Sequence, residues 1–195
     1  MIIRRRIILI LLITFSVIVT SCNKHAPPNN TNPFSESSIS AEKAQSPEHV
    51  VGNKKGNKAI EFSVKNVDGK TVNLSDYTNS KKPLLLYFWA TWCPFCERDF
   101  AIVKNIYPQY KEDVSFLSID IDMQETAEII KEYANTRGLN EIEFAVGEPK
   151  ILTDYSIRST TTKFAISKEG VILWTGSGVV DENTWKIIFE GLKNS

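Results

Sequence analysis

Apolar and polar positions follow two different periods along the chain from residue 57 onward. A period of two over residues 60–64 and 71–74, with an Asp68-Gly69 turn between them, predicts a β-hairpin. The uninterrupted apolar run 84–89 has the length of a central strand that is buried on both faces. Further strands are predicted at 114–121 and 142–146, and a closing hairpin at 163–167 and 171–175.

Side chains at helical spacing predict three helices between these strands. The first begins at or just after Cys93, and Pro108 bends or shortens it. The second spans 124–137 with Gly138 as its cap, and the third begins at Asp181. Because strands and helices alternate, the pattern predicts an α/β fold.

The first residues have the pattern of an export signal. Three arginines precede an apolar run, 7–19, that is too short to span a bilayer comfortably, and the run ends in Val-Thr-Ser-Cys, which resembles a bacterial lipobox. We therefore predict a lipoprotein signal peptide at 1–21, lipidation at Cys22, a flexible tether at 22–56 and one globular domain at 57–195. An uncleaved signal anchor is the alternative, and both interpretations place the domain outside the cytoplasm.

Charge and cysteine content narrow the chemistry. Lysine plus arginine equals aspartate plus glutamate at 23 each, so no basic surface indicates a nucleic-acid partner. If Cys22 carries lipid, Cys93 and Cys96 remain as one pair for redox chemistry. The histidines, His25 and His49, lie in the polar N-terminal stretch, so a four-ligand zinc site cannot be assembled around the pair. We predict no metal and no cofactor beyond the redox-active disulfide.

The segment around the cysteine pair contains the candidate catalytic residues. Two cysteines three apart at a helix start can form a disulfide, and the helix N-terminus favours the thiolate of the first. We expect Cys93 to have a lowered pKa and to attack, and Cys96 to resolve the mixed disulfide. Trp92, Pro94 and Phe95 are expected to shape this site. On spacing alone, an inert structural disulfide remains an alternative.

A family resemblance rests on residues 85–96, Leu-Leu-Tyr-Phe-Trp-Ala-Thr-Trp-Cys-Pro-Phe-Cys. This segment resembles the active-site strand and turn of thioredoxin-like proteins. The hairpin and the strand-helix block after Asp120 resemble the membrane-tethered TlpA/ResA-type thiol–disulfide oxidoreductases, over residues 56–195. The resemblance implies a thioredoxin fold with a central mixed sheet flanked by helices, an N-terminal hairpin extension and a central strand-helix insertion. It also implies protein thiols or disulfides as substrates and a membrane electron donor or acceptor.

Three positions depart from the family pattern. Thr161 stands where the family has a cis-proline, so the peptide bond before Thr161 is either strained or trans. The Thr161 hydroxyl is a candidate to lie near the thiols. Tyr87 replaces a buried aspartate, and Glu97 is a conceivable substitute for that acid. Ala101 replaces the proline that bends the active-site helix.

We therefore expect an exported, lipid-anchored, monomeric protein that exchanges disulfides, with reduction as the favoured direction. The alternative is a non-catalytic adaptor lipoprotein whose substrate capture is impaired at Thr161. A thiol peroxidase is disfavoured because the cysteines form a Trp-bounded pair, and a copper-handling role because no histidine follows His49.

Asp120 and Asp122 are expected to cap the following helix rather than to bind a cation.

Overall fold

The fold is built on a five-stranded mixed sheet. A computed structural model of the chain describes residues 49–195. Its strands are β3 Leu84–Trp89, β4 Ser115–Asp120, β5 Glu143–Ala145, β6 Thr162–Ile166 and β7 Ile172–Gly176. They lie in the order β5-β4-β3-β6-β7, in which β4 pairs parallel with β3 and β5, and β6 pairs antiparallel with β3 and β7.

The central strand β3 separates two apolar cores. All six of its residues are buried, and successive side chains point to opposite faces of the sheet. Tyr87 and Trp89 belong to one core, whereas Leu86 and Phe88 belong to the other. The continuous apolar run in the sequence is therefore explained by burial on both faces.

Helices cover both faces of the sheet. They are α1 Leu74–Asn79, α2 Pro94–Ile106, α3 Ala127–Arg137, α4 Pro149–Asp154 and α5 Glu182–Lys193. Helices α2, α3 and α5 supply side chains to the core that contains Tyr87 and Trp89, and α1 and α4 supply side chains to the other. This layered α/β arrangement confirms the predicted fold class.

The N-terminal extension is a short hairpin of β1 Ser63–Lys65 and β2 Thr71–Asn73. Its turn is held by the Asn66 side chain, which accepts hydrogen bonds from the backbone N–H groups of Asp68 and Lys70 at 3.1 and 3.0 Å. Asn66 also forms an antiparallel bridge to Ala145, the last residue of β5. The hairpin thus lies at the edge of the main sheet; the sequence predicts a hairpin here, but its first strand begins at Ser63 rather than at residue 60.

Several boundaries differ from the sequence predictions. Helices α1 and α4 were not predicted, because six residues are too few to display a helical period. The second predicted helix begins at Ala127 rather than at residue 124, with Thr126 as its N-cap. Helix α2 ends at Ile106, and Pro108 lies in the following 3₁₀ turn, Tyr107–Gln109.

Residues 49–58 are hydrogen-bonded to the domain. The Gly56 N–H donates to the Ile172 carbonyl at 2.8 Å, and the Ile172 N–H donates to the Asn57 carbonyl at 2.9 Å. The described part of the predicted tether is therefore attached to the β6–β7 hairpin. The predicted signal peptide, Cys22 and His25 lie outside the described residues, so the division of the N-terminal region stays a prediction. Within residues 49–195, no helix combines the length and apolarity that crossing a membrane requires.

Candidate active site

The cysteine pair lies at the N-terminus of α2, directly after β3. Cys93 is the N-cap residue, Pro94 occupies the first turn, and Cys93 and Cys96 form a disulfide with their Cα atoms 5.3 Å apart. The Cys96 backbone N–H donates to Cys93 Sγ at 3.1 Å. Because the sulfur of Cys93 takes the place of a capping oxygen, it lies in the positive field of the helix terminus. That field stabilises a thiolate when the disulfide is reduced.

A threonine hydroxyl contacts the same sulfur from the loop before β6. Thr160 Oγ1 lies 3.2 Å from Cys93 Sγ, and since a disulfide sulfur has no proton, the hydroxyl is the donor. The sequence hypothesis assigned this hydroxyl to Thr161, and that assignment was wrong by one residue. The Thr161 hydroxyl instead donates to the Thr160 carbonyl at 2.6 Å and accepts from the Gly178 N–H at 3.0 Å. Thr161 has φ of 60°, in the left-handed region.

The disulfide is buried, but its aromatic neighbours are not. Cys93 and Cys96 have 1% and 0% of their surface exposed, whereas Trp92 and Phe95 are 62% and 55% exposed. Trp89 is fully buried in the core. A partner that approaches the disulfide therefore meets two exposed rings, and large exposed aromatic side chains are typical of binding surfaces.

Two acidic side chains fix the turn that precedes Cys93. The Trp92 indole N–H donates to Asp122 Oδ2 at 2.8 Å. The Thr91 backbone N–H donates to Glu125 Oε2 at 3.1 Å, and the Thr91 hydroxyl bonds to the same carboxylate. Since Glu125 and Asp122 both lie between β4 and α3, this segment holds the active-site turn in place.

Asp120, at the end of β4, is a buried acid in this segment. Its Oδ1 accepts the Asp122 N–H at 2.7 Å. Burial, and after it the neighbouring Glu125, raises the pKa of Asp120 to about 9, which favours a protonated carboxyl at neutral pH. The predicted capping role was wrong, because Thr126 caps α3, and Asp120 and Asp122 stabilise the turn instead.

A second buried acid lies one helical turn after Cys96. Asp99 is 0% exposed, and its Oδ2 lies 2.9 Å from Lys163 Nζ and accepts the Tyr87 hydroxyl at 3.0 Å. Its Oδ1 accepts the Val180 N–H at 3.1 Å and the Trp185 indole N–H at 3.3 Å. Both oxygens therefore have two donors, which is the satisfaction that a buried carboxylate requires.

Burial also acts on the partners of Asp99. Desolvation lowers the pKa of Lys163, and the adjacent Asp99 carboxylate opposes that shift. Desolvation and Asp99 together raise the pKa of Tyr87, which keeps its hydroxyl protonated and able to donate. The Lys163 ammonium also lies 4.9 Å from the centre of the Tyr87 ring.

Sequence reasoning missed Asp99, Lys163 and Thr160. The sequence shows that Tyr87 replaces the buried aspartate of the family pattern. In the structure a buried acid is supplied instead by α2, where Asp99 accepts a hydrogen bond from the Tyr87 hydroxyl. A lysine inside an otherwise apolar strand was the available signal, because such a residue needs a buried partner. Glu97, the suggested substitute, is 60% exposed in its side chain and lies 3.5 Å from Arg137.

Metal ligation finds no support in this part of the chain. Across residues 49–195, no cluster of three or more His, Cys, Asp or Glu side chains is arranged to hold a metal ion.

Comparison with known proteins agrees with this geometry. The family model described as AhpC/TSA matches residues 55–175. The thiol-disulfide oxidoreductase ResA of Bacillus thuringiensis strain Al Hakam is 33% identical over 120 residues, which cover 60% of this chain and 66% of that protein. The thioredoxin-like protein YneN of Bacillus subtilis strain 168 is 28% identical over 123 residues, covering 63% and 71%.

One solved structure illustrates the same likeness. The exposed lipoprotein thioredoxin Etrx1 of Streptococcus pneumoniae strain TIGR4 superposes with a TM-score of 0.58 at 26% identity, over 68% of this chain and 100% of that one. The strand, turn and helix around the disulfide thus define a thioredoxin-like redox fold, and the predicted TlpA/ResA resemblance is confirmed. The chain belongs to the AhpC/TSA family. It spans about two thirds, 66%, of the length of the ResA protein that it matches.

Proposed function

We propose that the chain is an extracytoplasmic thiol–disulfide oxidoreductase that acts on protein disulfides through Cys93 and Cys96, with reduction as its direction. The observation that carries this proposal is the position of Cys93 Sγ. It caps α2, forms a disulfide with Cys96 and accepts hydrogen bonds from the Cys96 N–H and the Thr160 hydroxyl. An inert structural disulfide has no need of donors aimed at its first sulfur.

The proposed reaction starts from the dithiol form. The Cys93 thiolate attacks one sulfur of the substrate disulfide, that S–S bond breaks, and the leaving thiolate takes up a proton. The Cys96 thiolate then attacks Cys93 Sγ, which closes the Cys93–Cys96 disulfide and releases the second substrate thiol. Two electrons and two protons pass to the substrate in total. An external dithiol donor, which we propose to be membrane-bound, must reduce the pair again.

Hydrogen bonds from the helix terminus and from Thr160 assist each step in which Cys93 carries charge. They favour its thiolate in the dithiol form, before attack; in the resolving step Cys96 attacks Cys93 Sγ, and the group that leaves is the substrate thiolate. Trp92 and Phe95 are proposed to contact the partner, since they are the exposed aromatic side chains beside the buried sulfurs. Thr161 is proposed to act by shaping the loop that carries Thr160.

The decisive test is capture of a mixed disulfide. The full-length chain is purified in detergent with Cys22→Ser, so that Cys93 and Cys96 are its thiols, and Cys96→Ser is added to block resolution. Incubated with insulin as the disulfide probe, this variant is expected to form a covalent adduct that dithiothreitol releases, and Cys93→Ser is not. If neither variant forms an adduct, the adaptor interpretation replaces exchange.

The direction is tested by a glutathione redox titration of the Cys22→Ser protein. A reversible two-electron couple near about −270 mV, the value of thioredoxin, supports a reductase. A couple near about −120 mV would instead show an oxidant.

We further propose that the chain is anchored by lipid at Cys22, facing the periplasm or the cell exterior. The support is the basic and apolar pattern that ends in Val-Thr-Ser-Cys. Radiolabelled palmitate is expected to enter the chain in bacterial cells and to be lost in Cys22→Ser. Equal labelling of both chains, or labelling of neither, contradicts the anchor.

A further inference from the structure

The loop before β6 has a conformation that needs external support. Thr161 is a β-branched residue at φ of 60°, in the left-handed region that is sterically unfavourable for a residue with a branched Cβ. The next residues enter the sheet, because β6 begins at Thr162. The preceding residue, Thr160, carries the hydroxyl that contacts Cys93. The position of that hydroxyl therefore depends on what holds Thr161.

Lys163 supplies part of that support. Its Nζ donates to the Thr161 carbonyl at 2.9 Å and to the Gly178 carbonyl at 2.7 Å. The Gly178 N–H in turn donates to Thr161 Oγ1 at 3.0 Å. Lys163 and Gly178 thus hold both the peptide and the side chain of Thr161.

The ammonium is itself held from the helix side. Its third contact is Asp99 Oδ2 at 2.9 Å, and the side chains of Lys163 and Asp99 are 0% and 1% exposed. A buried ammonium with three polar contacts has little freedom to leave them, because each lost contact leaves charge unpaired away from water. Asp99 lies in α2, the helix that Cys93 caps, so one chain of contacts joins that helix to the Thr160 loop.

We propose that Lys163 is a positioning residue for the exchange reaction: anchored on Asp99, it holds Thr161 in its left-handed conformation and keeps the Thr160 hydroxyl against Cys93 Sγ. The effect on turnover rests on the proposed function, whereas the effect on Cys93 itself does not. Lys163 touches neither sulfur, so its influence passes through the loop. An O–H donor stabilises a thiolate more than a neutral thiol, so the loop sets how readily Cys93 ionises.

The test measures Cys93 directly. The full-length chain in detergent carries Cys22→Ser and Cys96→Ser, which leaves Cys93 as its single thiol. The rate of its alkylation by iodoacetamide is followed from pH 4 to pH 10. Thr160→Val is expected to move the midpoint of this profile upward by about one pH unit, the size of one hydrogen bond to a charged group. An unmoved midpoint overturns the proposal whatever the Lys163 variants do.

The Lys163 arm uses a charge-neutral double variant. Lys163→Met alone leaves Asp99 unpaired, whereas Lys163→Met combined with Asp99→Asn removes one positive and one negative charge together. The double variant is expected to move the midpoint upward by a similar amount. Adding Thr160→Val to it is expected to change little, because the hydroxyl has already lost its place. If Lys163 only stabilised the fold, the double variant would leave the midpoint unmoved, or Thr160→Val would still shift the midpoint by its full amount when added to the double variant. Either result overturns the proposal.

Lys150→Met is the matched control, since that lysine side chain is 77% exposed and lies on α4. It is expected to leave the alkylation profile unchanged. A shift as large as that of the double variant would show a nonspecific effect of lost lysine charge and would overturn the assignment. Alkylation by iodoacetamide needs no disulfide substrate, so the two proposals can fail independently. If only the proposed function fails, no insulin adduct forms, but Thr160→Val still shifts the alkylation midpoint.

Discussion

The Lys163 ammonium lies 2.9 Å from the Asp99 carboxylate, and neither side chain is exposed to solvent by more than 1%. A buried pair of this kind does not by itself indicate high stability, because taking two charges out of water offsets much of their attraction. The consequence of breaking it is nevertheless clear, since the remaining charge is left buried without its partner. The pair therefore makes the domain sensitive to any change at one of the two positions.

Lys163→Met is expected to lower the free energy of unfolding by about 3–5 kcal/mol in a urea titration. The double variant with Asp99→Asn is expected to recover a large part of this loss, because no unpaired charge remains. As a control, Lys186→Met removes an exposed partner of Glu182 on α5 and is expected to change stability little. Equal losses in the single and double variants would contradict a charge-based explanation.

The sequence predicted what depends on local pattern. The Cys-Pro-Phe-Cys pair, the buried run of β3 and the caps at Gly138 and Asp181 are encoded within a few residues, and the structure has each of them. Contacts that depend on the register between distant elements were not predictable in this way. Tyr87 pairs with Lys163 across β3 and β6, and that register brings the lysine beside an acid on α2.

The Thr160 contact illustrates the same limit at the scale of one residue. In an extended loop, successive side chains point to opposite sides, so the sequence predicts whether Thr160 or Thr161 faces the sulfur only if the backbone stays extended. Thr161 is instead left-handed, so its hydroxyl turns to the Gly178 N–H and the hydroxyl of Thr160 meets Cys93. A positive φ at a β-branched residue is rare, and no local sequence pattern indicates it here.

The exposed rings beside the disulfide are expected to matter for protein substrates. Phe95→Ala should lower the rate of insulin reduction several-fold while the rate with the small disulfide of oxidised glutathione changes little, because a small probe needs less contact surface. Ile187→Ala on α5 is the matched control, since that apolar side chain is similarly exposed, at 62%, but lies in another helix. Equal effects of Phe95→Ala on both probes would instead indicate a change in the sulfurs themselves.

The buried carboxyl of Asp120 gives the domain a pH dependence of known sign. Its pKa is raised from 3.8 to about 9 by burial and by Glu125, so between these values the folded state binds a proton that the unfolded state has released. Stability is therefore highest at the acid end of this window and falls as the pH rises towards 9. The slope contributed by this one proton is at most about 1.4 kcal/mol per pH unit.

Asp120→Asn separates this contribution from those of other groups. An amide keeps the shape of the protonated carboxyl but does not titrate, so the variant is expected to lose less stability than the wild type between pH 6 and pH 9. Urea titrations at several pH values measure the difference. Asp113→Asn, at a carboxylate whose side chain is 46% exposed, is the control and should follow the wild-type curve. Parallel curves for the wild type and Asp120→Asn would show that Asp120 is already ionised in this range.

Gly147 follows β5 at a point where the backbone leaves no room for a side chain. A Cβ at this position would lie 2.0 Å from the Asp120 carbonyl oxygen and 3.2 Å from its carbon, and a backbone atom cannot move aside as a flexible side chain can. Gly147→Ala is therefore expected to destabilise the domain by about 1–3 kcal/mol. Asp120 also accepts a hydrogen bond from the Asp122 N–H, and Asp122 accepts one from the Trp92 indole. Displacing the end of β4 at Asp120 should therefore loosen the Trp92 ring as well.

Gly191→Ala supplies the contrast, since this glycine lies in α5 and a Cβ added to it would meet nothing within 4 Å outside its own helix backbone. Alanine there should stabilise the helix by about 0.5–1 kcal/mol, because glycine loses more backbone entropy on folding. Urea unfolding gives both free energies, and acrylamide quenching of tryptophan fluorescence reports the accessibility of the indoles, to which Trp92, the exposed one, contributes most. Equal stability of Gly147→Ala and Gly191→Ala would contradict this prediction, because it would mean that β5 can move away from β4. The turn between β4 and α3 would then hold Trp92 less rigidly than the 2.8 Å hydrogen bond from its indole to Asp122 indicates.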